Sequence, residues 1–147
     1  CPFTFEANVN VHMNDVLIPV TMCHELSHLS GYMREDEANF IAFLACLQSD
    51  DPEFRYSGVY LASVHAMNAL VTVDSDLWNR ADALKSDALR RDIRSNNAYW
   101  KQYATPVSEV SDRVNDAYLK ANGQENGLRS YGRMVDLLLA YYRDELQ

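Results

Sequence analysis

Two histidines in the stretch His24-Glu25-Leu26-Ser27-His28 have the spacing needed to bind one metal ion. Residues i and i+4 share a face of an α-helix, so His24 and His28 can direct their imidazole rings at the same ion. Zinc accepts neutral imidazole and binds its ligands tetrahedrally. Glu25 lies on a neighbouring face, from which its carboxylate can take a proton from a metal-bound water. The pattern predicts a zinc site with Glu25 as general base; the alternative is a solvated helix that carries two histidines.

A third ligand is expected soon after this helix. In the pattern H-E-x-x-H-x-x-G-x-x-H a glycine turns the chain and a third histidine follows. Here Gly31 occupies the glycine position, but Arg34 stands where the histidine would be. Arginine is always charged and cannot bind a metal. The third ligand is therefore expected among the acids that come next.

Three consecutive acids, Glu35, Asp36 and Glu37, follow Arg34. A glutamate can complete a site with two histidines. We favour Glu35, because Asn39 lies one helical turn beyond it and can hydrogen-bond close to it. Glu37 is the second choice, and Asp36, which is shorter, is the third. Alternatively, all three are first-turn acids that a helix N-terminus favours through its macrodipole.

The stretch Glu35-Asp36-Glu37-Ala38-Asn39 resembles the E-x-x-A-[D/N] third-ligand motif of membrane-associated gluzincin peptidases. The resemblance implies that Glu35 binds zinc and that Asn39 orients it, with Asn in place of the more usual Asp. A closer resemblance, over nearly the whole chain, is to an uncharacterised bacterial zincin family known only as a domain of unknown function. It rests on residues 3–10, 23–46 and 130–133.

Members of that family usually carry transmembrane helices before this domain. The resemblance therefore implies a membrane-anchored zinc peptidase, with this domain on the extracytoplasmic side and an unknown substrate. The chain begins with Cys1-Pro2-Phe3 and has no hydrophobic run of membrane-spanning length. We expect it to be a soluble fragment of a longer protein, associated with the membrane only through an anchor outside this chain.

The composition is that of one globular domain covering residues 1–147. The chain is 48% hydrophobic, and its net charge of −8 argues against nucleic acid as a partner. Three cysteines are an odd number and predict no closed disulfide framework. Cys23 precedes a ligand but lies on a different helix face, so we expect a buried thiol and no metal ligand.

The predicted fold is mainly α, a zincin-like helical domain with one short N-terminal strand or small sheet. Residues 3–13 alternate loosely and predict the strand, whose Asn8 and Asn10 could pair with an extended substrate by β-augmentation. Helices are predicted at residues 18–30, 35–48, 53–73, 74–85, 86–103, 107–121 and 128–145. The long third helix is expected to pack inward through Tyr56, Val59, Tyr60, Val64, Met67, Leu70 and Val71. The last is expected to do so through Val135, Leu138, Leu139 and Tyr142.

These predictions combine into one chemical hypothesis, zinc-dependent hydrolysis of peptide bonds in a peptide or protein substrate. Besides zinc, the reaction needs a donor for the oxyanion. Tyr131 is our first candidate for that catalytic role, and the lower-ranked candidates are His65, Tyr118 and Arg133. The main alternative is a zinc-binding regulatory or sensing module with little peptidase activity. A third is an interaction domain in which the histidine spacing is accidental. The substrate and the oligomeric state cannot be predicted.

Overall fold

The computed structural model describes residues 6–103 and the helical residues 130–145, and within them all regular secondary structure is helical. A 3-10 turn, Asp15–Leu17, precedes six helices. These are α1 (Ile18–Leu29), α2 (Glu35–Leu47), α3 (Pro52–Val73), α4 (Ser75–Ala83), α5 (Asp87–Lys101) and α6 (Ser130–Glu145). The mainly α prediction is confirmed, and α1 and α2 begin at the predicted residues. The helix predicted at residues 107–121 lies outside the described part.

The predicted N-terminal strand is not found among residues 6–13, and residues 3–5 lie outside the described part. The backbone NH of His12 donates to the Asn10 side chain at 2.9 Å, which bends the chain into a turn. The amide of Asn10 donates to the Tyr99 hydroxyl at 3.1 Å, and that of Asn14 to Ser95 Oγ at 2.8 Å. This segment therefore binds α5 through side chains and has no neighbouring strand in the described chain with which to form a sheet.

Helices α1 and α2 form a hairpin whose connection is residues 30–34. Pro19 lies in the first turn of α1, where a missing NH is tolerated. The NH of Val20, also in that turn, has no partner within its own helix and donates to the buried Ser57 Oγ of α3 at 3.0 Å. A side chain of α3 thus caps α1 and fixes where the helix starts.

The core lies mainly where α2 packs against α3 and α6. Phe43 of α2 is fully buried and clusters with Ala62 of α3 and with Met134 and Leu138 of α6. Gly58 lets α3 approach α2 closely, since a Cβ at this position would lie 2.6 Å from Cys46 Cβ. Helix α2 is therefore held from two sides, and its first turn carries the three acids.

The face that α3 presents to the core differs from the prediction. Tyr60 is buried as expected, but Tyr56, Val59 and Val71 are exposed. The buried positions of α3 are mostly small or polar, because the helix is in close contact with α1 and α2; they are Ser57, Gly58, Tyr60, Ala62 and His65.

On α6, Leu138 is buried as predicted, whereas the predicted core residues Leu139 and Tyr142 are exposed and Met134 is fully buried. Within the described helices, none is both long and apolar enough to cross a lipid bilayer.

Candidate metal centre

His24, His28 and Glu35 come together near the connection of the α1–α2 hairpin. His24 Nε2 lies 3.3 Å from Glu35 Oε2, and His28 Nε2 lies 3.4 Å from Glu35 Oε1. One ligand atom from each of the three residues lies within 4.8 Å of the others. No second group of three His, Cys, Asp or Glu side chains is this close in the described residues. The three side chains form a set that can hold a metal ion.

The end of α1 determines the direction of the His28 ring. The NH of Gly31 bonds to the His28 carbonyl at 3.0 Å, and the NH of Tyr32 bonds to the Ser27 carbonyl at 3.2 Å. This is the Schellman pair of hydrogen bonds, and it needs a left-handed residue, which Gly31 supplies with φ of 101°. A Cβ at Gly31 would meet nothing within 4 Å, so only the backbone angle requires glycine here.

The same turn brings the Tyr32 carbonyl oxygen to 2.7 Å from His28 Nδ1. A carbonyl oxygen only accepts, so in this contact the His28 Nδ1 carries a proton and donates it. In the neutral ring, Nε2 then keeps its lone pair and faces Glu35, which is the tautomer a metal ligand requires. The sequence interpretation missed this contribution of Tyr32. The available signal was Gly31, two residues after the end of α1. A left-handed glycine there places the carbonyl of Tyr32 beside the last turn of α1, which carries His28.

Arg34 separates the roles of the three acids. Its Nε and Nη2 donate to the two carboxylate oxygens of Asp36 at 3.2 and 2.8 Å, and its Nε lies 3.4 Å from Glu37 Oε1. Asp36 is buried, with its side chain 5% exposed. Two of the acids are therefore paired with one guanidinium, and Glu35 is the acid that lies beside the histidines. The sequence analysis assigned Arg34 no such role. The available signal for the pairing was an arginine directly before a run of acids.

Glu35 has the charge state that a metal ligand requires. Its contact with His24 lowers the pKa of the carboxyl group, and this outweighs partial burial, which acts in the opposite direction. Nearby Asp36 also acts to raise the pKa of Glu35, but the neighbouring histidines prevail. The carboxylate is consequently ionised at neutral pH, with both oxygens near imidazole nitrogens.

The His24 ring is more deeply enclosed than the His28 ring. Its side chain is 15% exposed against 24% for His28, and the two rings meet edge to face with centroids 4.5 Å apart. Within the described part of the chain, His24 Nδ1 is buried and has no hydrogen-bond partner. A buried ring nitrogen without a partner is uncommon.

The predicted general base, Glu25, lies on α1 directly after His24 and is partly exposed. Among the described residues its carboxylate forms no ion pair with a lysine or arginine. Asn39 lies one turn beyond Glu35 on α2 and is half-buried. Its side chain makes no hydrogen bond to Glu35 in the described structure, so an orienting role for Asn39 stays a prediction.

The candidates for oxyanion donor fall in different places. Tyr131 belongs to α6, but its side chain lies outside the described residues, as does all of Tyr118. Arg133 is exposed, and His65 is buried in α3, where burial lowers the pKa of its ring. Cys23 has its Sγ 3.8 Å from Cys46 Sγ and is not one of the residues grouped at the metal centre.

Comparison with known families gives one result. A family model described as a protein of unknown function (DUF3810) matches residues 1–139. The chain belongs to the DUF3810 family. That description carries no catalytic assignment, so the uncharacterised nature of the family is confirmed, whereas its relation to zincins stays a prediction. No curated protein and no solved structure matches this DUF3810 chain.

Proposed function

We propose that this DUF3810 domain is a zinc-dependent metallopeptidase. The observation that carries the proposal is the convergence of His24, His28 and Glu35, with Glu25 adjacent to His24 on α1. A purely structural zinc site is usually closed and rich in cysteine, and it has no use for a general base. Two imidazoles and one carboxylate, by contrast, form the ligand set of several zinc hydrolases.

The spacing of the candidate ligand atoms supports zinc as the ion. With bonds of about 2.0–2.1 Å in a tetrahedral arrangement, neighbouring ligand atoms lie about 3.3–3.4 Å apart. The two His–Glu distances, 3.3 and 3.4 Å, are of this length, and each joins one histidine to a different oxygen of Glu35. The proton on His28 Nδ1 leaves Nε2 free to bind, and the lowered pKa of Glu35 keeps that ligand anionic. His24, His28 and Glu35 would hold the ion.

When bound, zinc would polarise the scissile carbonyl and lower the pKa of a coordinated water towards neutrality. Glu25 accepts a proton as the water oxygen attacks the carbonyl carbon, and it later delivers that proton to the leaving amine as the C–N bond breaks. The Glu35 carboxylate would offset part of the positive charge of the ion. The Tyr32 carbonyl holds the His28 ring in place through its hydrogen bond from Nδ1. Tyr131 is the proposed donor to the oxyanion.

The test combines metal analysis with turnover of a quenched fluorescent peptide library. The purified domain is expected to contain about one zinc per chain and to lose activity with a chelator. Glu25→Gln should keep the zinc and lose hydrolysis, because an amide has a similar shape but cannot act as a base. His24→Ala should lose the zinc.

His12→Ala and Glu37→Gln are the matched controls. His12 is exposed and lies before α1, and Glu37 is half-exposed and close to Arg34. Both variants should retain zinc and activity. Full zinc occupancy in His24→Ala would show that the ion is bound elsewhere. Zinc binding without hydrolysis of any peptide by the unmodified domain would favour the regulatory alternative.

A further inference from the structure

The thiols of Cys23 and Cys46 lie in contact across the α1–α2 interface, with Sγ atoms 3.8 Å apart. Both cysteines are free. Cys23 directly precedes His24 on α1, and Cys46 lies about three turns beyond Glu35 on α2. The segment between the two cysteines therefore contains all three candidate metal ligands. A covalent link between the sulfurs would close that segment into a ring around the site.

The surroundings of Cys46 keep its sulfur directed at Cys23. Cys46 is fully buried in a cluster with Val20 and Ala42. Behind it, Gly58 of α3 approaches so closely that an added Cβ would lie 2.6 Å from Cys46 Cβ. The Cys46 side chain consequently has little room to turn away. Cys23 is only partly buried and can move.

From this geometry we propose that Cys23 and Cys46 form a reversible disulfide that clamps α1 to α2 and tightens metal binding at the neighbouring site. The sulfurs must approach by about 1.8 Å to reach the bond length of a disulfide. Rotation of the Cys23 side chain towards the fixed Cys46 sulfur provides this movement. The effect on metal binding rests on the proposed zinc site, whereas formation of the disulfide does not.

The oxidant is a low-molecular-weight disulfide such as oxidised glutathione. The Cys23 sulfur attacks one sulfur of that disulfide, and the first small thiol leaves. The Cys46 sulfur then attacks the Cys23 sulfur of the mixed disulfide, and the second small thiol leaves. The two cysteines lose two electrons and two protons, and the oxidant is reduced to two thiols. Cys23 reacts first because it is the more exposed of the two cysteines. The same order agrees with the pKa of Cys46, which burial and the neighbouring Cys23 raise to about 12.

The experiment uses the full chain with Cys1→Ser, so that only Cys23 and Cys46 remain as thiols. The chain is equilibrated in glutathione buffers, alkylated and analysed by intact mass and peptide mapping. We expect a monomer with no free thiol, reversed by dithiothreitol. Its Tm should exceed that of the reduced chain by about 5–10 °C, from the loop closed by the bond. Zinc affinity, measured by chelator competition, should be about 5-fold tighter or more in the oxidised state.

The control is Cys1→Ser with Cys23→Ser, whose Tm and zinc affinity should be the same in both buffers. The disulfide would be refuted if the Cys1→Ser chain formed glutathione adducts or disulfide-linked dimers and no intramolecular bond. A disulfide that forms without changing zinc affinity would refute the clamp on the site. If neither redox state binds zinc, the zinc site and its regulation are both refuted, while the thiol count and the Tm still decide whether the disulfide exists.

Discussion

Three consecutive acids at the start of α2 allow one chemical change, carboxylate to amide, to be made in three different surroundings. For Glu35→Gln we expect zinc affinity to fall by more than about 100-fold. Loss of a residue that only orients a ligand already weakens metal binding about 10- to 100-fold. Glu35 contacts both histidine nitrogens, so its loss should have the larger effect. Its side chain is 42% exposed, so the stability of the metal-free domain should change little.

Asp36→Asn should show the opposite pattern. The Asp36 side chain is 5% exposed and accepts two hydrogen bonds from Arg34, at 3.2 and 2.8 Å. Hydrogen bonds to charged groups stabilise by about 1.5–3 kcal/mol, and the partly exposed guanidinium favours the lower end, about 2 kcal/mol. For a domain of this size, that loss lowers Tm by about 4–8 °C. Zinc affinity should fall less than about 10-fold, because the Asp36 carboxylate is paired with Arg34 and is not in the group of candidate ligands.

Glu37→Gln is the matched control. Its contact with Arg34 is 3.4 Å long and both side chains are exposed, so the free energy of unfolding should change by less than about 0.5 kcal/mol. Thermal unfolding of the metal-free variants and zinc titration against a chromophoric chelator provide the two measurements. Loss of zinc affinity in Glu37→Gln, with none in Glu35→Gln, would reverse the ligand assignment. Equal losses in all three variants would indicate a general charge effect and no specific ligand.

Three further predictions concern the supports of the site. Gly31→Ala should destabilise the domain by about 1–2 kcal/mol in chemical denaturation, because alanine is strained at φ of 101°, and Gly31→Asn should lose less. Ser57→Ala should lose about 1–3 kcal/mol in the same assay, because it leaves the buried NH of Val20 without its acceptor; a loss below 0.5 kcal/mol would contradict this cap. Burial raises the pKa of Asp36, but the hydrogen bonds from Arg34 outweigh this and keep the pKa below its ordinary value. The ionised Asp36 therefore stabilises the fold above pH of about 4, and this stabilisation is lost as the pH falls further. The stability difference between the unmodified chain and Asp36→Asn should therefore shrink below pH of about 4, and a difference that grew there would contradict the assignment.

The convergence of His24, His28 and Glu35 could be predicted because its geometry is local. The i, i+4 rule fixes His24 relative to His28 within one helix, and the short connection after Gly31 leaves little choice for where the next acid lies. The choice among the acids was harder, since helix geometry alone does not say which one faces α1. The decisive contact is between Arg34 and Asp36, two side chains whose pairing depends on how the chain enters α2.

Burial on α3 could not be predicted from hydrophobicity. The prediction selected its large apolar residues, yet Tyr56 and Val59 are exposed while Ser57 and Gly58 are fully enclosed. Close approach of helices selects small residues, and a pattern search for large apolar side chains misses them. The predicted strand failed for a related reason, because alternation at residues 6–13 has no partner strand in the described chain and Asn10 bonds to a side chain of α5.

The division between ligands and supports explains how a short sequence motif can make a site. All three candidate ligands come from residues 24–35, but the angle between α1 and α2 determines whether Glu35 can reach both histidines. Helix α3 contributes to that angle because it contacts both helices. Ser57 caps α1 at Val20, and Gly58, which has no side chain, lets Cys46 of α2 pack closely against α3. Together these two neighbouring α3 residues contact α1 and α2, and neither is one of the candidate ligands. The ligand types are therefore specified by the local motif, and their mutual distances depend on packing that lies more than twenty residues further along the chain.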